Sequence, residues 1–215
     1  MSVATNLNAF KKELSHSVEL VAVSKTKPPG LIMEAYAAGQ RHFGENKIQE
    51  MTSKWEMLPK DIAWHMIGHV QTNKVKYMAP YVHLIHGVDS EKLLKEIDKQ
   101  GLKNNRCIDC LLQVYIADET TKFGLASEAV LPLIEKSLSM DNVRVVGLMG
   151  MASFSDDTQQ IATEFSALRT LFIEAKKHFP QIKTLSMGMS GDYKIAIEQE
   201  SNMIRVGSKI FGSRH

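Results

Sequence analysis

The stretch from Glu19 to Pro29, ELVAVSKTKPP, decides how the rest of the chain is read. Leu20, Val21, Ala22 and Val23 form a short apolar run rich in β-branched residues, without helical spacing, and it stops at Ser24 and Lys25 before two prolines. That pattern predicts a buried strand with a lysine at its end. In parallel αβ folds ligands bind at the carboxyl ends of the strands, so such a lysine projects into a site while its stem stays among core neighbours. Partial desolvation destabilises an ammonium and frees the neutral amine to condense with a carbonyl compound. Lys25 is thus a candidate Schiff-base lysine, against the plainer alternative of a strand-end lysine in water or in a salt bridge.

Outward from this stretch the same rhythm recurs. GLIMEAYAAG reads as a helix, HFGEN as a short strand with a polar end, residues 46–58 as a helix and AWHMIG, 63–68, as a strand. A helix over 71–79, a strand over 82–88 and a helix capped by Asp89 or Ser90 follow. The second half supplies strand CLLQVYI, helix 127–138, strand VRVVGLMGM, helix 158–178, strand KTLSMGMS, helix 190–199 and strand NMIRVGS. Eight strand-like runs alternating with helices, undivided by any linker in 215 residues, predict an α/β fold. Its expected form is a single-domain (β/α)8 TIM barrel over residues 1–215. An open doubly wound sheet is the alternative, and eight units in this length favour closure.

Composition narrows the function. Lys and Arg number 26 against 24 Asp and Glu, a net charge of +2 with the two signs interspersed, which does not suit a nucleic-acid binder. The longest apolar runs, such as 143–151, are too short to span a bilayer. The N-terminal MSVATNLNAFKKELSHSVEL lacks an apolar stretch with a cleavage site, so it reads as a short surface helix and the cytoplasm is the expected location. Cys107 and Cys110 are spaced CxxC but run into the apolar LLQVYI, and are read as reduced, structural cysteines.

The predicted strand ends collect Lys25, Asn46, His65, Met149, Ser190, Arg205, Gly207 and Ser208 on one face. SMGMSGD puts Ser190 where the seventh strand turns into a helix that it can cap, and RVGS puts Gly207 and Ser208 just past the eighth. Barrels frequently bind phosphate between these two loops, and small residues permit the close backbone approach. A lysine amine facing a phosphate cradle suits a ligand with an aldehyde and a phosphate, either pyridoxal 5'-phosphate (PLP) or a phosphorylated sugar. Arg205 could donate to a ring nitrogen. His65 and His69 straddle a strand end without a third partner, so no metal site is expected. His83 and His86 are assigned to packing. Asp118, Glu119 and Lys122 fall in the loop after the fifth strand, read as solvated although placed to gate a pocket.

VAVSKTKP, HFGEN, WHMIGHVQTNK, LMGM, LSMGMSGDYKIAI and IRVGSKIFG resemble, in order and spacing, the motifs of the pyridoxal phosphate homeostasis protein family. The resemblance covers about Leu20 to Gly212 and implies a barrel of the alanine racemase N-terminal type with PLP bound as a lysine Schiff base. Carried over by motif, Lys25 would hold the cofactor, Ser190, Gly207 and Ser208 would bind its phosphate, and Arg205 would face the pyridine nitrogen. Asn46, His65 and Met149 would line the pocket.

An arginine at the pyridine nitrogen opposes its protonation and weakens the electron sink that catalysis needs. In related racemases the resemblance also implies a second base, a tyrosine brought by an added domain and dimerisation, and none of the tyrosines here, Tyr36, Tyr77, Tyr81, Tyr115 and Tyr193, is marked out by sequence as that base. The expected function is therefore PLP storage or delivery with negligible catalysis by a monomer, with PLP-dependent apo-enzymes as the implied recipients. A weak PLP-dependent amino-acid racemase is the alternative, and a Schiff-base aldolase acting on a phosphosugar a third reading.

Overall fold

The computed structural model describes residues 2–117 and 123–212. Asp118, Glu119 and Lys122, considered as a gate, lie outside the described residues. The eight apolar runs become parallel strands β1 (Glu19–Val23), β2 (His42–Glu45), β3 (Ala63–Met66), β4 (Leu84–Val88), β5 (Ile108–Gln113), β6 (Val143–Met149), β7 (Thr184–Ser186) and β8 (Met203–Val206). They pair in sequence order and β8 closes onto β1, with Leu20 opposite Ile204 and Ala22 opposite Val206, so the barrel is shut and has no edge.

Helices α1 (Val3–Lys12), α2 (Pro29–Ala37), α3 (Ile48–Met57), α4 (Val75–Met78), α5 (Glu91–Lys103), α6 (Ser127–Ser137), α7 (Thr158–His178), α8 (Tyr193–Glu198) and α9 (Ser208–Phe211) surround it. Their local signals are those of the sequence. Pro29 opens α2 at a position where its missing N–H costs nothing. The hydroxyl of Ser90 accepts from the Leu93 amide at the start of α5, and Asp157 caps α7 through the amides of Gln159 and Gln160.

Three expectations change. The helix expected over 71–79 is a 3-10 turn, Thr72–Lys74, leading into the single turn of α4. The helix expected over 190–199 starts only at Tyr193, so Ser190 does not cap it. The N-terminal helix is part of the outer ring and not a surface appendage. Val3, Leu7 and Phe10 of α1 are buried, Phe10 meets Tyr193 edge-on at 5.1 Å, and the Asn6 side-chain amide donates to the Ile210 carbonyl. The physical reason is that α9, after the last strand, has only four residues. One turn cannot cover β8 and β1, and α1 fills the gap.

The main core lies between barrel and helices, with Phe43, Trp64, Ile85, Phe165 and Leu185 fully buried. Inside the barrel a smaller apolar cluster of Val21, Leu84, Leu111, Met149 and Met203 shares the space with a polar column containing His65, His86, Ser186 and Arg205. β6 and β7 meet at Gly147, where a Cβ would lie 1.9 Å from the Thr184 carbonyl oxygen, so only glycine fits.

Candidate functional site

β1 ends at Val23, and Lys25 follows in a tight turn between Ser24 and Thr26, both of which are tied down. The Ser24 amide donates to the Gly44 carbonyl at 3.0 Å and its hydroxyl to Glu45 Oε1 at 2.6 Å. Thr26 takes the left-handed conformation at φ 64°, costly for a β-branched residue, and its amide donates to Glu50 Oε1 at 2.6 Å. Lys54, from α3, joins these anchors. Its Nζ lies 2.7 Å from Glu45 Oε1, 2.7 Å from Glu50 Oε1 and 2.8 Å from the Ser24 carbonyl. Burial pushes the Glu45 carboxyl up, partly offset by the bonds from Lys54 and Ser24. Strand β2 and helix α3 thus hold the Lys25 turn by a buried ion pair with a second carboxylate at its rim.

Lys25 lines a cavity of about 520 Å³ at the C-terminal mouth of the barrel, together with Asn46, Ser190, Arg205, Gly207 and Ser208. Six of the eight residues expected at the site therefore meet in one space. Ser190 reaches across the β7 and β8 loops, its hydroxyl accepting from the Gly207 amide at 3.3 Å. The turn before α8 is closed by Asp192, whose carboxylate accepts from the Met189 amide at 2.5 Å. A Cβ on Gly191 would meet nothing within 4 Å, whereas one on Gly207 would lie 3.1 Å from the Val23 carbonyl oxygen. The first amides of α9 begin at the same wall, where a helix start leaves N–H groups without intrahelical acceptors.

Arg205 is buried, 4% exposed, at the wall of the cavity. It donates to the Ser186 carbonyl at 2.9 Å, to the Ser186 hydroxyl at 2.6 Å and to the Gly150 carbonyl at 3.1 Å. Burial brings its pKa down to about 10, against the favourable charge of Asp192, so the guanidinium remains protonated at neutral pH. Opposite, the loop carrying Ser153 is pinned to α7, since its amide and hydroxyl both donate to Glu164, at 2.6 and 2.7 Å.

His65 and Met149 are the two corrections. Neither lines this cavity. Met149 packs in the apolar cluster inside the barrel, and His65, one residue short of the end of β3, points into the barrel interior below. Alternation along a strand decides this, because a residue named as a strand end can face the packed interior. His65 Nδ1 lies 2.9 Å from His86 Nε2, and His86 Nδ1 lies 3.2 Å from the Ser186 hydroxyl, so a chain of polar contacts descends from Arg205 through the barrel. Burial holds both imidazoles well below their usual pKa, and each is neutral.

The histidines also depart from expectation elsewhere. His69 does not pair with His65 but stacks on Phe123 at 4.0 Å and faces Asp89. His83, assigned to packing, is exposed and stands with His42 and His65 in a cluster that no sequence spacing announces. Cys107 and Cys110 are free thiols, with Cys110 fully buried and its pKa pushed up by burial. Lys54, Glu45, Glu50 and Ser186 were not singled out in the sequence. A lysine at i+4 from Glu50 reads as an ordinary surface pair, and only the tertiary contact with β2 gives it another role.

The sequence profile of the alanine racemase N-terminal domain matches residues 2–215. The pyridoxal phosphate homeostasis protein of Aquifex aeolicus is 40% identical over 198 residues, covering 91% of this chain and 87% of that protein. The protein of the same name from Schizosaccharomyces pombe is 39% identical over 201 residues, covering 92% and 85%. Among solved structures, PipY of Synechococcus elongatus without PLP superposes with a TM-score of 0.94 at 34% identity, covering 98% of this chain and 100% of that one. The same protein with PLP bound gives 0.91. Alanine racemase of Clostridium difficile, 12% identical with a TM-score of 0.83, shares the fold. With relatives this similar over nearly their whole length, the chain belongs to the pyridoxal phosphate homeostasis protein family, built on the alanine racemase N-terminal domain.

Proposed function

We propose that the protein binds PLP in the cavity at the C-terminal mouth and serves PLP homeostasis, storing or delivering the cofactor with no or negligible turnover. The observation that carries this reading is that Lys25, Ser190, Arg205, Gly207 and Ser208 line one cavity. The donor set fits the group. A partly buried amine, two hydroxyls with a glycine-rich wall, and a charged guanidinium match an aldehyde, a phosphate and a ring nitrogen. The solved structure of PipY with PLP bound, at 34% identity, supports it.

When bound, PLP supplies an aldehyde that condenses reversibly with an amine, with loss of water. Lys25 provides that amine, and the buried Glu45–Lys54 pair keeps its turn in place. Ser190, Gly207, Ser208 and the first amides of α9 receive the phosphate. Arg205, already fixed by Ser186 and Gly150, can donate to a ring nitrogen but cannot accept from it, so it leaves that nitrogen unprotonated. Asn46 completes the wall. The protein works as an intracellular monomer, and PLP-dependent apo-enzymes are its recipients.

The test is the visible absorbance of the purified protein, followed by borohydride reduction and peptide mapping. A yellow protein whose reduced adduct maps to Lys25 is expected. A colourless protein that takes no label after incubation with PLP refutes the reading. Amino-acid turnover well above that of free PLP would make it a racemase-like enzyme instead.

A further inference from the structure

The end of the barrel opposite Lys25 gathers four groups from four consecutive strands. Glu19 is the first residue of β1, His42 the first of β2, His65 lies on β3, and His83 immediately precedes β4. Each of the three imidazoles offers a ring nitrogen, and these atoms all lie within 4.8 Å of one another. His42 Nδ1 is 3.0 Å from His65 Nε2 and 2.7 Å from Glu19 Oε1, and His65 Nε2 is 4.0 Å from the same oxygen.

The hydrogen bonds within this cluster depend on which ring nitrogens carry hydrogen. With the hydrogen of His65 on Nδ1, two acceptors crowd His42 Nδ1, which carries at most one hydrogen and cannot serve both. Glu19 Oε1 is shielded from solvent and faces His42 Nδ1 at 2.7 Å, a contact that helps to hold the Glu19 carboxyl below its usual pKa, and His65 Nε2 at 4.0 Å. With the ring hydrogens on the far nitrogens, these atoms turn lone pairs toward one another, an arrangement that a small cation would resolve. Tetrahedral ligands at about 2.0–2.1 Å from a metal stand about 3.3 Å apart. The separations of 2.7, 3.0 and 4.0 Å bracket that edge.

We propose that His42, His65 and His83, with the Glu19 carboxylate beside His42, form a binding site for a divalent transition-metal ion of the zinc class at the N-terminal mouth of the barrel. Three imidazoles and one carboxylate are the borderline-soft set such ions take. The outer shell is present as well. His65 Nδ1 contacts His86 Nε2, and His86 Nδ1 contacts the Ser186 hydroxyl, which also accepts from Arg205. With the hydrogens of both histidines on Nδ1, His65 donates to His86 and His86 to the serine oxygen. That arrangement leaves His65 Nε2 with its lone pair toward the cluster, the orientation that outer-shell partners usually impose on a ligating histidine. The ion has an entry path, because His83 is exposed and Glu19 also lines a depression shared with His16 and Asn202.

The site is independent of the cofactor reading, and its test uses no PLP. Protein stripped with a chelator and dialysed is titrated with zinc ion, followed by competition with a chromophoric chelator, by thermal midpoint and by elemental stoichiometry. One equivalent bound, a raised midpoint and the visible spectrum of four-coordinate cobalt(II) on substitution are expected. His83→Ala, at an exposed position, and the near-isosteric Glu19→Gln should each weaken zinc binding at least about tenfold. His178→Ala, at an exposed histidine facing Glu174 on α7, should not. No tight equivalent in the parent protein, affinity unchanged in both cluster variants, or loss only with His178→Ala overturns the site. If His83→Ala does not fold, Glu19→Gln alone decides it.

Discussion

Lys54→Met removes the cation that the buried Glu45 faces at 2.7 Å and frees the turn that carries Lys25. The methionine stem replaces most of the lysine volume, so the change isolates charge and hydrogen bonding. Breaking a buried ion pair from one side costs about 3–5 kcal/mol, because the remaining charge is left uncompensated. The partner can limit that cost by taking up a proton. From a reference pKa of 4.5, protonating Glu45 at pH 7 costs about 3.4 kcal/mol, or less, because burial already raises its pKa. The Glu50 and Ser24 carbonyl bonds to Lys54 are lost in addition. A destabilisation of about 3–5 kcal/mol at pH 7 follows, roughly a 10 °C fall in melting temperature for a chain of this size. It should shrink at pH 5, where Glu45 protonates more cheaply. Urea unfolding of the single variants and of Lys54→Met with Glu45→Leu measures the coupling, and the double variant should recover much of the loss. PLP uptake, followed by absorbance, should slow in the single variant as the Thr26 turn relaxes. A cost below about 1 kcal/mol, or single-variant losses that simply add, would refute the reasoning.

Lys25→Ala, outside every strand and helix, should abolish borohydride-trapped PLP while leaving the melting temperature within a few degrees, and an adduct persisting on another lysine would show that the wrong residue was chosen. Gly147→Ala should cost at least about 3 kcal/mol in urea unfolding, since its Cβ would meet the Thr184 carbonyl oxygen at 1.9 Å, whereas Gly30→Ala, with nothing within 4 Å, should be neutral or gain up to about 1 kcal/mol. Equal effects of the two would contradict the tight β6–β7 approach. His65 and His86 are held neutral below the value near 6.5 at which unfolded histidines titrate, so between those values the unfolded chain binds more protons. Stability should therefore fall by about 1.4 kcal/mol per histidine per pH unit as pH drops below about 6.5, despite the nearby Glu19 carboxylate. Urea unfolding with chelator present at pH 7.5 and 5.5 checks this, and flat or rising stability toward acid would count against it.

The barrel was legible because its determinants are local. Apolar runs such as LVAV and the helical spacing in residues 158–178 carry their periodicity in the chain itself, and a regular alternation of eight such pairs leaves few ways to bury them. Lys25, Ser190, Arg205, Gly207 and Ser208 were expected near the ends of predicted strands, and strand ends share one mouth in a closed barrel, so their meeting in one cavity was legible for a related reason. What tertiary structure alone decided is which way a side chain faces and what it meets from another strand. Met149 and His65 looked like pocket residues and lie inside the barrel. Lys54 looked like a helix-surface partner of Glu50 and is the buried counter-ion of Glu45. Glu19, His42, His65 and His83 are spread over 65 positions of sequence and meet only because parallel pairing sets β1 to β4 side by side. Orientation and charge pairing depend on barrel stagger and through-space distance, which no single segment encodes, whereas burial periodicity and turn chemistry are properties of the segment itself.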